Sequence, residues 1–369
     1  MKLALVHDWL NQMGGAEDVL EHLIRYYPDA PVYTSLFAPD LMPDHYQQWD
    51  IRTLWTDRLP GIHTGQQRYL LAYPLAFGGL DLSEYDVVLS NKSGFCHGIR
   101  TGPNALHICY CLAPTRYVWD VKAYLERESF GLSVQVAARL AARVLKRWDY
   151  AAAQRVDHFI AISTEIQARI RHHYGRESAI IYPPAEVAER FTPTPAHDDY
   201  FLVVSRLIPY KRIDLAVQAC TQLGLPLLVG GKGRDRERLK AMAGPTVQFL
   251  GFVPDDDLPD LFARCRAFIF PGLEDFGITP VQAQAAGRPV IAFKGGGALD
   301  TVIPGKTGVF FEEPTVESLI HALQNLDEHD YDPAVIRQHA MQFDSSVFED
   351  AITTYVEQAW HDFRAAHRP

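Results

Sequence analysis

Apolar, β-branched-rich runs alternate with helix-patterned stretches along almost the whole chain, and this alternation restricts it to parallel sheets covered by helices on both faces. The runs are continuously apolar rather than alternating, as strands buried on both faces require. In the first half they fall at residues 3–7, 31–36, 86–90, 106–111, 159–163 and 179–182, with helical patterns such as 16–27 and 133–155 between them. A Pro-containing stretch at 183–199, with Pro183, Pro184, Pro193 and Pro195 and little periodicity, breaks the pattern. Strands then resume at 201–205, 227–229, 247–249, 268–270 and 290–293, interleaved with helices at 213–223, 258–265 and 279–286. A last helical stretch, 346–366, carries Trp360 and Phe363.

With 369 residues, two cores are expected rather than one. The expectation is an α/β chain of two doubly wound, Rossmann-like domains facing each other across a cleft. Residues 1–184 form the first and 200–345 the second. Residues 185–199 form a linker, and the helix of 346–369 packs back toward the first domain. Ligands then belong at the carboxyl ends of the strands.

Composition narrows the function. Hydrophobic residues are 47% and charged residues 22%, the balance of a soluble globular protein. A formal charge of -10 argues against a dedicated nucleic-acid binder. The opening apolar run is too short for a secretory leader, and no run is long enough to span a bilayer, so cytosol is the expected compartment. Five scattered cysteines (Cys96, Cys109, Cys111, Cys220 and Cys265) suit reduced buried thiols. Cys109 and Cys111 share a strand face, but two thiols do not complete a zinc shell, and no metal site is expected.

Three loops carry the chemistry. After the first strand, Gly14-Gly15 opens a helix, where backbone N–H groups can approach an anion; the same pair also serves a plain tight turn. After the first strand of the second half comes Ser205-Arg206-Leu207-Ile208-Pro209-Tyr210-Lys211-Arg212, whose Arg206 fork and Lys211 point charge together suit a diphosphate. The third loop is the most specific. The strand at 268–270 runs into Pro271-Gly272-Leu273-Glu274-Asp275-Phe276-Gly277-Ile278, then into a helix closed by Gly287 and followed by Pro289. Glu274, the amides near Gly277 and Ile278, and Gln282 leaning toward the helix N-terminus make a cradle for a polyhydroxylated ligand.

The run Glu274-Asp275-Phe276-Gly277-Ile278-Thr279-Pro280-Val281-Gln282 resembles the E-x7-E region of the retaining family 4 glycosyltransferases of GT-B architecture. The likeness extends to Ser205-Arg206 with Lys211-Arg212, to Gly230-Gly231-Lys232-Gly233, to Phe249-Leu250-Gly251-Phe252 and to Gly295-Gly296-Gly297. His7-Asp8-Trp9, Gly14-Gly15-Ala16-Glu17 and the run Cys111 to Asp120 resemble the mannosyltransferase-like branch of surface polysaccharide assembly.

The resemblance implies a hexosyltransferase, mannosyl in that branch, which uses a GDP- or UDP-linked nucleotide sugar as co-substrate and no cofactor. It implies that Glu274 contacts sugar hydroxyls beside the amides of Phe276, Gly277 and Ile278. Arg206 and Lys211 would stabilise the diphosphate and its developing charge, and Gly15 would approach that diphosphate. Gly231 belongs to the same donor site. Retention is attributed in the family to front-face attack, with the leaving phosphate taking the acceptor proton, and no side chain here stands out as a covalent nucleophile.

Two departures stand. Gln282 replaces the glutamate that holds the ribose, and Leu112 occupies a position often held by His; His7 and His97 are the available substitutes, each also readable as structural. The Asp255-Asp256-Asp257 run contains D-x-D but reads as the N-cap of the following helix.

The acceptor, a glycan or lipid-linked species, falls to the first domain. Asp8, Trp9, Lys92, Arg116, Tyr117 and Trp119 are the candidates for its wall, the aromatics being equally readable as core. Residues 132–148 gather Arg139, Arg143, Lys146 and Arg147 on one helix side, which suits anionic lipid at the inner membrane face as well as it suits plain solvent. The rival functions are a catalytically silent nucleotide-sugar-binding subunit, favoured by Leu112 and Gln282, and a nucleotide-sugar epimerase.

Overall fold

The computed structural model describes residues 1–121, 132–194 and 196–367, and of residues 132–138 and 328 the backbone alone. Pro195 and the residues 122–131 lie outside the described residues. The chain forms two compact units. The first contains Met1–Ile162, Ile166–Pro184 and Phe348–Pro369; the second contains Ser163–Glu165 and Ala185–Val347.

The first unit is built on a seven-stranded sheet of β1 (Leu3–His7), β2 (Val32–Thr34), β3 (Ile51–Thr53), β4 (Val87–Lys92), β5 (Leu106–Cys111), β6 (His158–Ala161) and β7 (Ser178–Ile180). Their order is β3-β2-β1-β4-β5-β6-β7, every pair parallel. Strands β4 and β5 are buried along their whole length, and their sequences are mostly apolar or small; the polar exceptions are Asn91 and Lys92 at the end of β4 and His107 in β5, which meets Ser90 Oγ at 2.9 Å. Helix α1 (Gly15–Tyr26) buries Val19, Leu20, Leu23 and Ile24 on one stripe. Helix α2 (Leu132–Ala153) buries Ala142, Leu145, Ala152 and Ala153, and helix α3 (Thr164–Tyr174) buries Ile166, Ile170 and Tyr174 at four-residue spacing. The C-terminal helix Ser345–Ala366 buries Phe348, Ile352, Val356 and Ala359 in the same way.

The second unit repeats the plan with six parallel strands: β8 (Phe201–Val204), β9 (Leu227–Gly230), β10 (Val247–Gly251), β11 (Ala267–Phe270), β12 (Val290–Phe293) and β13 (Gly308–Phe311). Their order is β10-β9-β8-β11-β12-β13, so the order reverses beside β8 and β11. Loops leaving the carboxyl ends of those two neighbouring strands therefore diverge from a common point, where open α/β sheets bind ligands. Helices α4 (Ile213–Leu223), α5 (Ile278–Ala285), α6 (Val316–Gln324) and α7 (Pro333–Ala340) cover the sheet. Caps fix their ends. Gly224, in left-handed conformation, closes α4, Thr315 accepts from the Ser318 amide at α6, and Asp332 accepts from the Ala334 amide at α7.

Three expectations change. Strands β3 and β13 were not legible. The described residues of 185–199, read from sequence as a linker, form a packed arm of the second unit. Asp344 Oδ1 accepts from the Val187 and Ala188 amides, Arg337 donates to Phe191 O and to Ala188 O, and the buried Arg288 donates to Thr194 O and Ala196 O. Phe191 is buried against Phe262. Asp255–Asp257 form a 3-10 turn, and Asp257, though at the N-terminus of the helix Leu258–Ala263, makes no side-chain capping bond.

Burial pushes the Asp344 carboxyl up, but its bonds from Ala188, Ser346 and Val187 more than offset this and hold it below the ordinary aspartate range. Its contribution is therefore complete above the unfolded-state value and is lost as pH falls through the folded value. Asp344→Ala should cost about 1–3 kcal/mol in denaturant unfolding at neutral pH, and the gap from wild type should close below about pH 4.

Candidate functional site

The second unit brings together the residues that the sequence placed on separate loops. After β8 the chain makes a 3-10 turn, Pro209–Lys211, and enters α4 through Arg212, a non-glycine residue at φ 53. After β11 it runs through Gly272 to Glu274. Lys211 Nζ and the Glu274 carboxylate form an ion pair, with side chains 11% and 20% exposed. The backbone sets up this pair: a Cβ on Gly272 would lie 2.8 Å from Lys211 O, so only glycine lets the two loops meet without a shift. On the other side of Glu274, the Gly297 amide donates to Glu274 O at 2.9 Å. Gly296 has φ 60, and a Cβ there would lie 2.2 Å from the same oxygen. Gly295-Gly296-Gly297 is thus the clamp that holds the Glu274 loop.

Phe276 anchors that loop from below, buried with its ring edge-on to Phe343 at 5.6 Å. Gly277, at φ 96, turns the chain into α5 and offers no side-chain cap. The first amides of α5, from Ile278 and Thr279, therefore point out of the helix end without a capping side chain, and Pro280 has no N–H to leave unpaired. Such an end attracts anions. Gln282 lies half-buried on α5, whereas Gln284 is fully buried and donates to Thr301 O.

Arg206 is exposed, donates to Tyr210 Oη at 3.3 Å, and shares that ring with Lys211, whose Nζ is 5.4 Å from its centroid. Gly231, at φ 130, donates its amide to Gly251 O and passes so close to Ser205 O that a Cβ would overlap it. Arg206, Lys211 and Glu274 are linked through the Tyr210 ring and the ion pair, and Gly277 and Ile278 follow Glu274 on the same loop. Among the described residues no three His, Cys, Asp or Glu side chains gather as a metal would need.

In the first unit the structure corrects the expectation of a ligand-facing wall. Asp8 is fully buried, and its carboxylate accepts four backbone amides, from Ser93, Gly94, Phe95 and Cys96, at 2.6–2.8 Å. It holds the loop after β4. Lys92 is also fully buried and donates to Ala113 O and Thr115 Oγ1. Thr115 Oγ1 lies 2.6 Å from both Gly94 O and Asp149 Oδ1, with one proton to share.

Asp149 also accepts from Trp119 Nε1 and Tyr174 Oη, each at 2.7 Å. The Trp119 ring is stacked on His173 and carries Lys146 Nζ 4.2 Å from its centroid, so it is pinned rather than offered as a platform. Trp9 is core, packed against Tyr73 and Tyr117. Arg116 is half-buried in the turn Arg116–Trp119. Asp8, Lys92 and Asp149 hold the loops at the carboxyl ends of β1, β4 and β5 in register.

The two histidines are structural as well. Burial, with Lys92 nearby, pushes the His97 imidazole well below its usual range, so it is neutral in the core beside Asp149. His7 lies 3.3 Å from Glu17 in a buried pair at the start of α1. Leu112 is half-buried. Gly14 and Gly15 sit exposed at the head of α1, whose N-terminus has no side-chain cap.

Asp149 was missed from sequence; its signal was an acidic residue on the apolar stripe of α2, four residues after Leu145. Burial opposes the Lys92 charge, but Cys111 and then Asp149 act against that effect and leave its pKa above the ordinary lysine value. Lys92→Met would leave two buried carboxylates without their counter-charge. The expected cost is about 3–5 kcal/mol of unfolding free energy in denaturant titration.

Over residues 186–342 the sequence matches the family described as Glycosyl transferases group 1, and over 13–189 that described as Glycosyltransferase Family 4. A GDP-mannose-dependent alpha-mannosyltransferase of Mycolicibacterium smegmatis is 30% identical over 206 residues, 53% of this chain and 53% of that protein. A GDP-mannose-dependent alpha-(1-6)-phosphatidylinositol monomannoside mannosyltransferase of the same species is 29% identical over 196 residues, 45% of this chain and 51% of that one. The chain spans about half the length of the curated relatives it matches. Among solved structures, Anabaena HepE in complex with UDP superposes with a TM-score of 0.71 at 19% identity, over 97% of this chain and 100% of that one. At that identity the likeness is one of fold.

Proposed function

We infer, for a chain that belongs to glycosyltransferase family 4 and has the two Rossmann-like units of the GT-B fold, that it transfers a mannosyl group from GDP-mannose with retention of configuration. The acceptor is a glycan or lipid-linked species of polysaccharide assembly. The observation that carries the reading is the Lys211–Glu274 pair beside the uncapped start of α5. The donor is taken from the curated relatives, which are GDP-mannose-dependent.

In this reading Lys211 and Arg206 bind the diphosphate, and their charge counts for most as the phosphate leaves, because low-dielectric, preorganised cations stabilise developing charge without reorganising. Glu274, held by Gly296 and Gly297, accepts from hydroxyls of the sugar. Gln282 bonds the ribose as a neutral group, more weakly than a carboxylate would. The acceptor oxygen forms its bond to the anomeric carbon on the face from which the phosphate departs. The sugar–phosphate bond breaks, and the acceptor proton passes to the leaving phosphate oxygen. No metal and no covalent intermediate enter.

The acceptor falls to the first unit, whose buried Asp8, Lys92 and Asp149 hold its loops. Lipid as the acceptor's carrier is supported by α2, where Arg143, Lys146 and Arg147 are exposed together with Leu140 and Val144. In this reading the protein works at the cytoplasmic face of the membrane. Among the described residues no helix is long and apolar enough to cross it.

The test is GDP release from GDP-mannose, with and without lipid-linked acceptor in anionic vesicles. Wild type should release GDP, and vesicles should raise the rate. Lys211→Ala should lose about 10²–10³ in kcat, the scale of one lost charge-stabilising donor. GDP-mannose binding without GDP release under any acceptor condition would overturn the reading, as would a Lys211→Ala variant that turns over like wild type.

A further inference from the structure

A cavity of about 460 Å³ opens in the first unit at the amino ends of β5, β6 and β7, the opposite end of that sheet from Asp8 and Lys92. Arg155, Arg176, His158 and His367 line it together with Phe363. Its charge is unbalanced. Elsewhere in this acidic chain some arginines pair with carboxylates, as in Arg52–Asp50, Arg171–Glu177, Arg238–Asp235 and Arg264–Asp198, while Arg288 and Arg337 are held by backbone carbonyls. Arg155 and Arg176 have no carboxylate partner among the described residues.

What they have are backbone carbonyls. Arg155 donates to Ala151 O and Gly98 O, and Arg176 to Ala153 O and Asp157 O, the last three at 3.0 Å. Two of the five N–H donors on each guanidinium are thereby spent on fixing its orientation, and three remain. Asp157, the one carboxylate among the described lining residues, has an oxygen committed to the His107 amide at 2.8 Å.

The imidazoles are oriented too. His158 Nδ1 meets Tyr355 Oη at 3.2 Å, and His367 Nδ1 donates to Phe363 O at 2.9 Å, so the Nε2 atom of each is left over. Burial, and after it the nearby Arg100, lower the Arg155 pKa, so no carboxylate offsets the cost of holding this charge out of water. Two fixed guanidinium forks suit the tetrahedral oxygens of a phosphoryl group, with His158 Nε2–H and, in the imidazolium form that a bound anion favours, His367 Nε2–H as further donors. The volume exceeds one phosphate, and Phe363, stacked on His367 at 4.1 Å, adds an apolar wall.

We propose that this cavity is a second anion site, which binds a phosphorylated small molecule through Arg155 and Arg176 independently of the donor site. It lies in the first unit, whereas Lys211 and Glu274 lie in the second. The proposal therefore does not rest on the glycosyltransferase reading.

The experiment is calorimetry with inorganic pyrophosphate at about 0.15 M salt, where diffuse surface charge is largely screened. It is done on full-length Lys211→Ala, so that any contribution from the second unit is weakened, and the first-unit variants below report on this cavity alone. Binding should persist in that variant. Adding Arg155→Gln and Arg176→Gln should weaken it about tenfold or more, since each removes charge-assisted bonds. The arginines also hold backbone carbonyls, so His158→Gln with His367→Ala is measured in parallel and should weaken binding several-fold. Absence of pyrophosphate binding in Lys211→Ala would overturn the proposal. So would an affinity left unchanged by the histidine pair, whether or not the arginine variant folds.

Discussion

The ion pair between Lys211 and Glu274 joins the loop after β8 to the loop after β11, the two strands between which the sheet order reverses. Much of the second unit can be understood as the support for that pair. Gly272 lets the Lys211 backbone come close, and Gly296 and Gly297 grip the Glu274 backbone. Phe276 and Phe343 hold the loop to the core, and the packed arm of 185–199, tied by Arg288, Arg337 and Asp344, closes the unit around them. A partly buried ion pair is weak evidence for stability, because desolvation offsets most of the attraction. Its value lies in placing a cation, a carboxylate and a helix N-terminus within one small region.

The first unit uses charge differently. Asp8, Lys92 and Asp149 are fully buried, and each is surrounded by donors or acceptors of the loops around it. Asp8 satisfies four amides of one loop, and Asp149 gathers Thr115 and Trp119 from one turn and Tyr174 from a second segment. These groups fix loop geometry, as the buried Arg288 and Asp344 do in the second unit, where Lys211 and Glu274 stay only part-buried. The contrast is between fully buried charge that shapes loops and the part-buried Lys211–Glu274 pair, which in the proposed reading meets the donor.

How much of this was legible follows from what each motif reports. The Glu274 loop, Ser205-Arg206 with Lys211, and the triple glycine could be read because backbone geometry there admits few residues. Gly277 and Gly296 at positive φ and Gly272 in close approach leave a local signature. The long buried strands were visible as unbroken apolar runs. Strand β3 was not, since Ile51-Arg52-Thr53 is three residues long, lies at the sheet edge and is mostly exposed. Residues 185–199 read as a linker because their order comes from arginines and an aspartate far away in sequence, which no local pattern announces.

The polar residues of the first unit misled for a related reason. Asp, Lys and Trp beside strand ends resemble a binding wall, and only three-dimensional partners show that each is already satisfied. Asp149 was hidden in a helical stripe. Its partners Thr115, Trp119 and Tyr174 are 34, 30 and 25 residues away in sequence.

The central claim is that Lys211 and Glu274 act on the donor as one unit. It is tested most directly by a double-mutant cycle of Lys211→Ala and Glu274→Gln, read on kcat/KM with GDP-mannose. Coupled residues in contact typically show an interaction of about 0.5–3 kcal/mol. The account predicts that the double variant loses much less than the product of the two single losses, by about tenfold or more. Losses that simply multiply would mean that the two side chains act independently, and would contradict it.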